Sequence, residues 1–235
     1  MGKFDLVIAV PSGSTWQAQF GVDLVNLIAC FNTKRVADYS SQSARVVNVR
    51  SSILSNNRMN LVKAALAAGA THILFLDTDH TFPSDLPHRL AKHHKMVVAA
   101  NCVTKQIPAS PTARAKAADP RGIPVYTDPE STGLERVWRI GTGVMLINLH
   151  IFDRIGLGVW GMPFLSHDNT YQGEDWTFCA ACEEANIPLY IDHDVSKLVG
   201  HLGIYEFTHD VVGQYAQESS HDAGSSDSTC NLPAR

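Results

Sequence analysis

The chain has 235 residues, of which 45% are hydrophobic and 18% are charged, and its formal net charge at pH 7 is -4. This length and apolar content suit one α/β domain with a sizeable core. The mildly acidic balance excludes a protein that binds nucleic acid through a basic overall field, so a DNA or RNA partner would have to meet a local patch.

The first half of the chain alternates apolar runs with helical patterns. The expected strands cover residues 3–10, 44–50, 72–76 and 96–100, and the expected helices cover residues 16–31, 56–68 and 83–92. In the helix over 56–68 we expect Asn56 to cap the start and Gly69 to end it. Strands that are apolar on both faces and alternate with helices predict a mostly parallel sheet covered on both sides.

The second half is less regular. Residues 102–135 are rich in Pro, Gly and Ala and predict a loop with a hairpin, and residues 156–172 form a second irregular stretch. Between and after them we expect a strand near 144–147, a helix over 174–185 and a short strand over 189–191. The sequence predicts one domain over residues 1–215 and a polar, disordered tail over residues 216–235.

Cysteine usage and hydropathy bear on the compartment of the chain. Five cysteines is an odd number in a chain too large to need disulfide staples, which predicts reduced thiols. Cys179 and Cys182 form a C-x-x-C inside a helical pattern, and we expect them to pack structurally, with metal or redox chemistry as the alternative. The apolar run after Met1 is too short for a signal peptide, and no segment reaches the ~18 apolar residues of a membrane span. A cytoplasmic protein is therefore expected.

The most informative motif is Asp77-Thr78-Asp79, which directly follows the apolar run HILFL. In an extended segment, residues two apart point the same way, so Asp77 and Asp79 can face one divalent cation. Mg²⁺ and Mn²⁺ favour oxygen ligands and often share them with substrate phosphates. A solvated turn is the alternative, but ligands bind beyond the carboxyl ends of parallel strands, and this position favours a metal site.

Two further motifs could complete such a site. Glu174 and Asp175 stand at the start of a predicted helix, where they could cap the helix dipole or provide a general base for an incoming hydroxyl. His201 lies in the run VGHLG, where its imidazole could be a third metal ligand. Four other histidines are interpreted as surface or helix-edge residues: His80, His93, His94 and His193.

Three other segments are candidates for contact with a nucleotide or a sugar. Pro11-Ser12-Gly13, at the end of the first strand, could hold a base or ribose through backbone groups. Arg58 could face a phosphate or a nucleobase, and its alternative is a solvated helix residue. Gly141-Thr142-Gly143 would allow close approach to a sugar, and its alternative is a tight turn into a strand.

Taken in order, these segments resemble the GT-A type glycosyltransferases, especially the small single-domain bacterial and bacteriophage members related to the large inverting family. The resemblance covers about residues 4–203. It rests on the first strand ending at VPS, the helix NNRMNLVKAALAAGA, the runs THILFLDTDHTFP and MVVAANCV, the segment IGTGVMLINLHIFDRIG, the block GEDWTFCAACEEANIPLYID and the ending VGHLG. Their order and spacing are specific, whereas each motif alone is not.

The resemblance implies a GT-A-like, Rossmann-like fold with a mostly parallel sheet, flanking helices and an irregular acceptor-side region. It implies a hexosyl- or pentosyltransferase that moves a sugar from a UDP- or GDP-sugar to an acceptor hydroxyl. Asp77, Asp79 and His201 would hold Mn²⁺ or Mg²⁺, and Asp175 would be the base, supported by Glu174. The residues expected to bind the nucleotide sugar are Pro11, Ser12, Gly13, Arg58, Asp77, Thr78, Asp79, Gly141, Thr142 and Gly143.

Several alternatives stay open from the sequence. Retaining GT-A enzymes also carry D-x-D and a metal-binding His, so inversion is a preference. A nucleotidyltransferase would usually have a Gly-rich, basic loop after the first strand, where this chain has PSGSTWQ. The intact set of candidate residues argues against a non-catalytic binding module. The nucleobase, the oligomeric state and the acceptor (a glycan, a protein or a modified DNA base) are not specified, and a phage-encoded chain would work in the host cytoplasm.

Overall fold

The computed structural model of the chain describes residues 2–106, 108–166 and 169–203. Its strands are β1 (Lys3–Ser12), β2 (Ser41–Arg50), β3 (His72–Leu76), β4 (His80–Thr81), β5 (Val97–Ala99), β6 (Arg114–Ala115), β7 (Ile123–Pro124), β8 (Leu134–Val137), β9 (Val144–Asn148), β10 (Phe164–Leu165), β11 (Thr170–Tyr171), β12 (Leu189–Asp192) and β13 (Gly200–His201). Its α-helices are α1 (Ala18–Thr33), α2 (Leu54–Ala67), α3 (Leu86–Ala91), α4 (Phe152–Ile155), α5 (Glu174–Glu184) and α6 (His193–Ser196), and short 3-10 helices cover Leu149–Ile151 and Gly158–Trp160.

A seven-stranded sheet with the order β2-β1-β3-β9-β5-β12-β8 forms the centre of the molecule. β1 pairs in parallel with β2 and β3, and β12 pairs in parallel with β5. β9 is antiparallel to both β3 and β5, and β8 is antiparallel to β12. All strands except β9 and β8 therefore run in one direction, which confirms the predicted mostly parallel α/β sheet.

The two faces of the sheet have separate cores because side chains alternate along each strand. On one face, Val7 and Ala9 of β1 pack with buried residues of α2 and α5. On the other face, Leu6, Ile8 and Val10 pack with buried residues of α1 and α3. Helices thus cover both faces, as predicted. Among the described residues, none of the helices has the length and apolar content needed to cross a membrane.

The start of α2 differs from the prediction. The helix begins at Leu54, two residues before Asn56, and the residue at its N-cap is Ile53, whose side chain makes no capping bond. The first turn is instead tied down by Asn57, whose Nδ2 donates to the backbone oxygens of Ser12 at 3.2 Å and Ser51 at 3.1 Å. The Asn56 cap is therefore wrong, whereas the stop at Gly69 is confirmed by its φ of 67°.

The second half contains more strands than the sequence predicts. The hairpin expected within residues 102–135 is present as the antiparallel pair β6–β7. β8 and the β10–β11 pair were not expected, because their few residues alternate too briefly to give a strand signal. Cys179 and Cys182 lie on the buried face of α5 and pack in the core, as predicted. Burial raises the pKa of both thiols. The predicted tail over residues 216–235 lies outside the described residues.

Candidate active site

The candidate site lies where β3 ends and the chain turns. Asp77 follows β3, and its N–H donates to the carbonyl of Gly143 at 2.9 Å, while His80 N–H donates to the Asp77 carbonyl at 3.2 Å. This turn ends in the two-residue strand β4, which pairs with β13 so that His80 lies opposite His201. Residues from distant parts of the sequence therefore meet at the carboxyl end of β3.

Asp79, His80 and His201 form a cluster whose potential ligand atoms all lie within 4.8 Å of one another. His80 Nδ1 is 3.2 Å from Asp79 Oδ1, and His201 Nε2 is 3.4 Å from Asp79 Oδ2. The two imidazole rings stack at 4.2 Å between centroids. One carboxylate and two imidazoles are a set of donors that can hold a divalent transition metal.

The backbone fixes which ring nitrogen of His201 carries the hydrogen in the neutral form. Its Nδ1 lies 2.6 Å from the carbonyl oxygen of Val103. Because a carbonyl can only accept, Nδ1 carries the hydrogen, and the lone pair of the neutral ring is on Nε2, the nitrogen that faces Asp79. A hydrogen bond of this kind behind a ligand nitrogen is the usual way in which proteins orient metal-binding histidines. The position predicted for His201 as a ligand is thus consistent with its geometry.

His80 is a residue that the sequence analysis placed wrongly. It is 3% exposed, not a surface residue, because its strand is covered by β13. Neither ring nitrogen has a hydrogen-bond partner among the described residues, since the approach of Nδ1 to Asp79 lies outside hydrogen-bonding geometry. A Cβ atom on Gly143 would lie 2.7 Å from His80 Cε1, which explains the need for glycine there. The signal in the sequence is the position of His80, directly after the D-x-D motif.

His193 was also interpreted as a surface residue, and this is wrong as well. It is buried at the start of α6, where its ring lies 2.9 Å from both Thr127 Oγ1 and Glu135 Oε2. Its role in the described structure is to join α6 to β8 and to the loop before it, away from the Asp79 cluster.

Asp77 and Asp79 contact different partners. The predicted alternation of side chains requires an extended segment, but Thr78 and Asp79 form a turn, so the alternation does not apply. Asp77 Oδ2 accepts a hydrogen bond from Arg58 Nη2 at 3.1 Å, and Asp77 Oδ1 is buried without a hydrogen-bond partner among the described residues. Coordination of a metal by Asp77 stays a prediction.

Arg58 is not a solvated helix residue but is 2% exposed and joins two carboxylates. Its Nε donates to Glu174 Oε1 at 3.1 Å, and its guanidinium lies 5.3 Å from the centre of the Phe75 ring. Burial alone would lower the pKa of Arg58, but Asp77 and Glu174 raise it, so the guanidinium stays charged. Arg58 thereby connects the turn after β3 with the start of α5.

Asp175 occupies the first turn of α5, beside Glu174. Its Oδ1 accepts a hydrogen bond from the backbone N–H of Trp176 at 2.7 Å. Burial, and then the neighbouring charge of Glu174, raise the pKa of Asp175 to about 6. The carboxylate is therefore ionised at pH 7 and basic enough to accept a proton, as a general base must be.

Lys105 also belongs to the cluster, although no motif in the sequence predicts it. Its Nζ lies 2.5 Å from Asp79 Oδ2. Burial alone would raise the pKa of Asp79, but the neighbouring His201, His80 and Lys105 hold it well below its usual range. Asp79 is thus a permanent anion surrounded by potential cations.

The segments predicted to bind a nucleotide sugar line the same edge of the sheet. Ser12 ends β1, and its Oγ accepts a hydrogen bond from Asn48 Nδ2 at 2.8 Å. Past Pro11, Ser12 and Gly13, the chain returns to the turn, where Gln17 N–H donates to the Thr78 carbonyl at 3.2 Å. Gly141 to Gly143 approach from the other side, and the buried hydroxyl of Thr142 has no hydrogen-bond partner among the described residues.

No protein-family model matches the sequence, and neither does any curated protein. Among solved structures, the chain is similar to GalNAc-T7 in a crystal structure with UDP, GalNAc and Mn²⁺, with a TM-score of 0.54, 12% identity, and coverage of 87% of this chain and 44% of that chain. It also matches A197 from STIV, with a TM-score of 0.48, 14% identity, and coverage of 88% of this chain and 97% of that chain. The chain spans less than half the length of GalNAc-T7, and at this identity the likeness bears on the fold. The chain has a GT-A-like α/β fold.

Proposed function

We propose that the chain is a metal-dependent glycosyltransferase that moves a sugar from a nucleoside-diphosphate sugar to an acceptor hydroxyl, with inversion at the anomeric carbon. The observation that carries the proposal is the cluster of Asp79, His80 and His201 at the carboxyl end of β3 in a GT-A-like fold. GalNAc-T7, which has a similar fold, was crystallised with UDP and Mn²⁺, and this supports a nucleotide and a metal of the same kind here.

The residues of the cluster fit a divalent cation. Asp79 supplies carboxylate oxygen, and the buried nitrogens of His80 have no hydrogen-bond partner among the described residues. Carboxylate suits Mg²⁺ and Mn²⁺, whereas imidazole suits softer metals, so the mixed set favours Mn²⁺ over Mg²⁺. Asp79, His80 and His201 would hold the ion, with Asp77 as a further ligand. When bound, the ion would neutralise charge on the departing diphosphate.

Asp175 is proposed as the catalytic base. The acceptor hydroxyl gives its proton to the Asp175 carboxylate while its oxygen bonds to the anomeric carbon of the donor sugar. The bond from that carbon to the diphosphate oxygen breaks, and its electron pair leaves with the diphosphate. The raised pKa of Asp175, about 6, supports this role because a base works best when its pKa is near the operating pH. Attack opposite the leaving group inverts the anomeric centre.

Arg58 and Glu174 are proposed to position the two halves of this machinery. The Arg58 guanidinium contacts both Asp77 in the turn and Glu174 beside the base. A fixed bridge of this kind holds the base relative to the diphosphate site, and alignment of reacting groups accounts for a large part of enzymatic rate enhancement. Arg58 is also predicted to contact the nucleotide directly. We propose this contact only for Arg58 Nη1, which is buried without a hydrogen-bond partner among the described residues.

The other predicted contacts follow from their positions. Pro11, Ser12 and Gly13 lie where the nucleoside would rest against Thr78. Gly141, Thr142 and Gly143 would line the path of the donor sugar, and Gly143 lies directly against His80. The proposed acceptor is a hydroxyl of a glycan, a protein or a modified DNA base.

The proposal is tested by thermal unfolding with a panel of UDP- and GDP-sugars, with and without Mn²⁺. A ligand at about 100 times its dissociation constant stabilises the folded chain by about 2.7 kcal/mol, which corresponds to a rise of roughly 5–11 °C in Tm. We expect this rise with at least one donor, only when Mn²⁺ is present, and we expect Asp79→Asn to abolish it. No metal-dependent rise with any donor would contradict the proposal.

A further inference from the structure

The segment that follows β5 runs along the metal cluster and is held at several points. Asn101 N–H donates to Ser196 Oγ at 2.8 Å, Thr112 N–H to the Cys102 carbonyl at 2.8 Å, and Thr104 N–H to the Ser110 carbonyl at 2.9 Å. Between these points the Val103 carbonyl accepts from His201. The backbone that carries Lys105 is therefore fixed beside the cluster.

The Lys105 side chain ends at a single oxygen of that cluster. Its Nζ lies 2.5 Å from Asp79 Oδ2, the oxygen that is also 3.4 Å from His201 Nε2. A cation held by Asp79 and His201 would compete with the ammonium for this oxygen, because like charges repel strongly at such distances. The ammonium and the cation therefore cannot both keep this contact.

Lys105 has a second position available to it. Its side chain is 42% exposed, and a lysine carries its charge on a flexible stem of four carbons. A nucleoside diphosphate bound to the cation would bring new negative charge within reach of the same stem. Phosphate oxygens accept strong hydrogen bonds from ammonium groups. An ammonium displaced from the Asp79 carboxylate would therefore gain another anionic partner.

We propose that Lys105 is a diphosphate-binding residue. Its ammonium pairs with Asp79 in the metal-free chain, and when the cation binds, the side chain moves so that the ammonium contacts the nucleoside diphosphate instead. The inference rests on the proposed function. Lys105 would then neutralise part of the charge of the leaving group. The exchange also keeps Asp79 paired in the absence of the cation.

A matched control exists elsewhere in the molecule. Lys116 makes an ion pair with Glu183 at the same distance of 2.5 Å, and its side chain is 69% exposed. Glu183 is bound by Trp138 and Arg139 and is not part of the Asp79 cluster. Removal of the Lys116 charge tests the effect of losing one exposed lysine in general.

The experiment measures two affinities in each of four proteins: the parent, Lys105→Met, Lys105→Arg and Lys116→Met. Mn²⁺ binding without nucleotide is followed by electron paramagnetic resonance, and binding of UDP and GDP at saturating Mn²⁺ is followed by calorimetry. For Lys105→Met we expect Mn²⁺ to bind several-fold more tightly and the nucleoside diphosphate about tenfold more weakly, as for loss of one charge-assisted hydrogen bond. Lys105→Arg should keep most of the nucleotide affinity, and Lys116→Met should change neither affinity.

The opposite signs of the two effects identify the exchange. If Lys105→Met weakens both affinities, the residue only supports the local structure and the inference is overturned. If it changes neither, while the parent binds Mn²⁺ and UDP or GDP, the inference alone is wrong. A parent protein that binds neither Mn²⁺ nor a nucleoside diphosphate contradicts the proposed function itself.

Discussion

Asp77 and Asp79 are separated by one residue but belong to two different electrostatic regions. Asp77 lies in a buried network, where the nearly inaccessible Arg58 joins it to Glu174. Asp79 lies in what we call the open cluster, where His80, His201 and the half-exposed Lys105 surround it. We expect the buried network to position the groups around it, whereas the open cluster includes a half-exposed lysine that a ligand could displace.

The largest expected effect is at the proposed base, Asp175, which is adjacent to Glu174 of the buried network. Asp175→Asn should lower the rate of sugar transfer by about 10²–10⁴-fold, the usual contribution of a general base. Metal-dependent binding of UDP or GDP should be unchanged, because Asp175 is not part of the open cluster. Rates are measured by release of nucleoside diphosphate and affinities by calorimetry. Transfer at the parental rate would show that another group accepts the proton.

Removal of the centre of the buried network should destabilise the fold. Arg58→Ala leaves Asp77 and Glu174 without their cation, and breaking a buried ion pair by removing one partner costs about 3–5 kcal/mol. Urea unfolding measures this loss. The control is Arg89→Ala, which removes a partly exposed pair with Asp85 and should cost only about 0.2–1 kcal/mol. Equal losses in the two variants would mean that the buried and exposed pairs do not differ as described.

The open cluster is tested through its closest backbone contact. In Gly143→Ala the new Cβ would lie 2.7 Å from His80 Cε1, so the ring has to move. We expect the affinity for Mn²⁺ to fall about tenfold or more, as when support behind a metal ligand is lost. Gly21→Ala in α1, where nothing lies within 4 Å of the added atom, is the control and should keep the parental affinity. Unchanged Mn²⁺ binding in Gly143→Ala would exclude His80 as a ligand.

The smallest expected effect is a displacement of the pH profile. Because the working form of Asp175 is the carboxylate, kcat/KM should be full above neutrality and fall as the pH drops through about 6. Burial is the main cause of this raised pKa and Glu174 is the second, so Glu174→Gln should move the acid limb to lower pH without removing it. A flat profile between pH 5 and 8, or a limb that moves upward, would contradict the assignment.

The sequence predicted the sheet well because each central strand is a continuous apolar run. β3, for example, is HILFL, and all of its residues are buried. Gly69 was also predicted correctly, since an end of a helix with positive φ requires glycine. The choice of His201 followed from its glycine-flanked position in VGHLG, which is a local feature of the sequence.

The partners within the site could not be predicted, because they depend on contacts between distant segments. His80 reads as one polar residue after an acidic motif until β13 covers it, and its pairing partner lies more than a hundred residues away. Arg58 lies on an apolar face of α2. Its pairing with a carboxylate of α5 can be recognised only once the fold brings α5 to α2. Lys105 stands in a loop with no periodic pattern, so only the fold brings its ammonium to Asp79.

The two-residue pairing of β4 with β13 has a consequence for the order in which the molecule assembles. Gly200 N–H donates to Thr81 Oγ1 across 119 positions of sequence, and closure of so long a loop is slow compared with local structure formation. Such a short ladder also opens more readily than the central sheet. We therefore expect His201 to be placed late in folding and released early in local unfolding, and a cation bound between the two strands would hold them together.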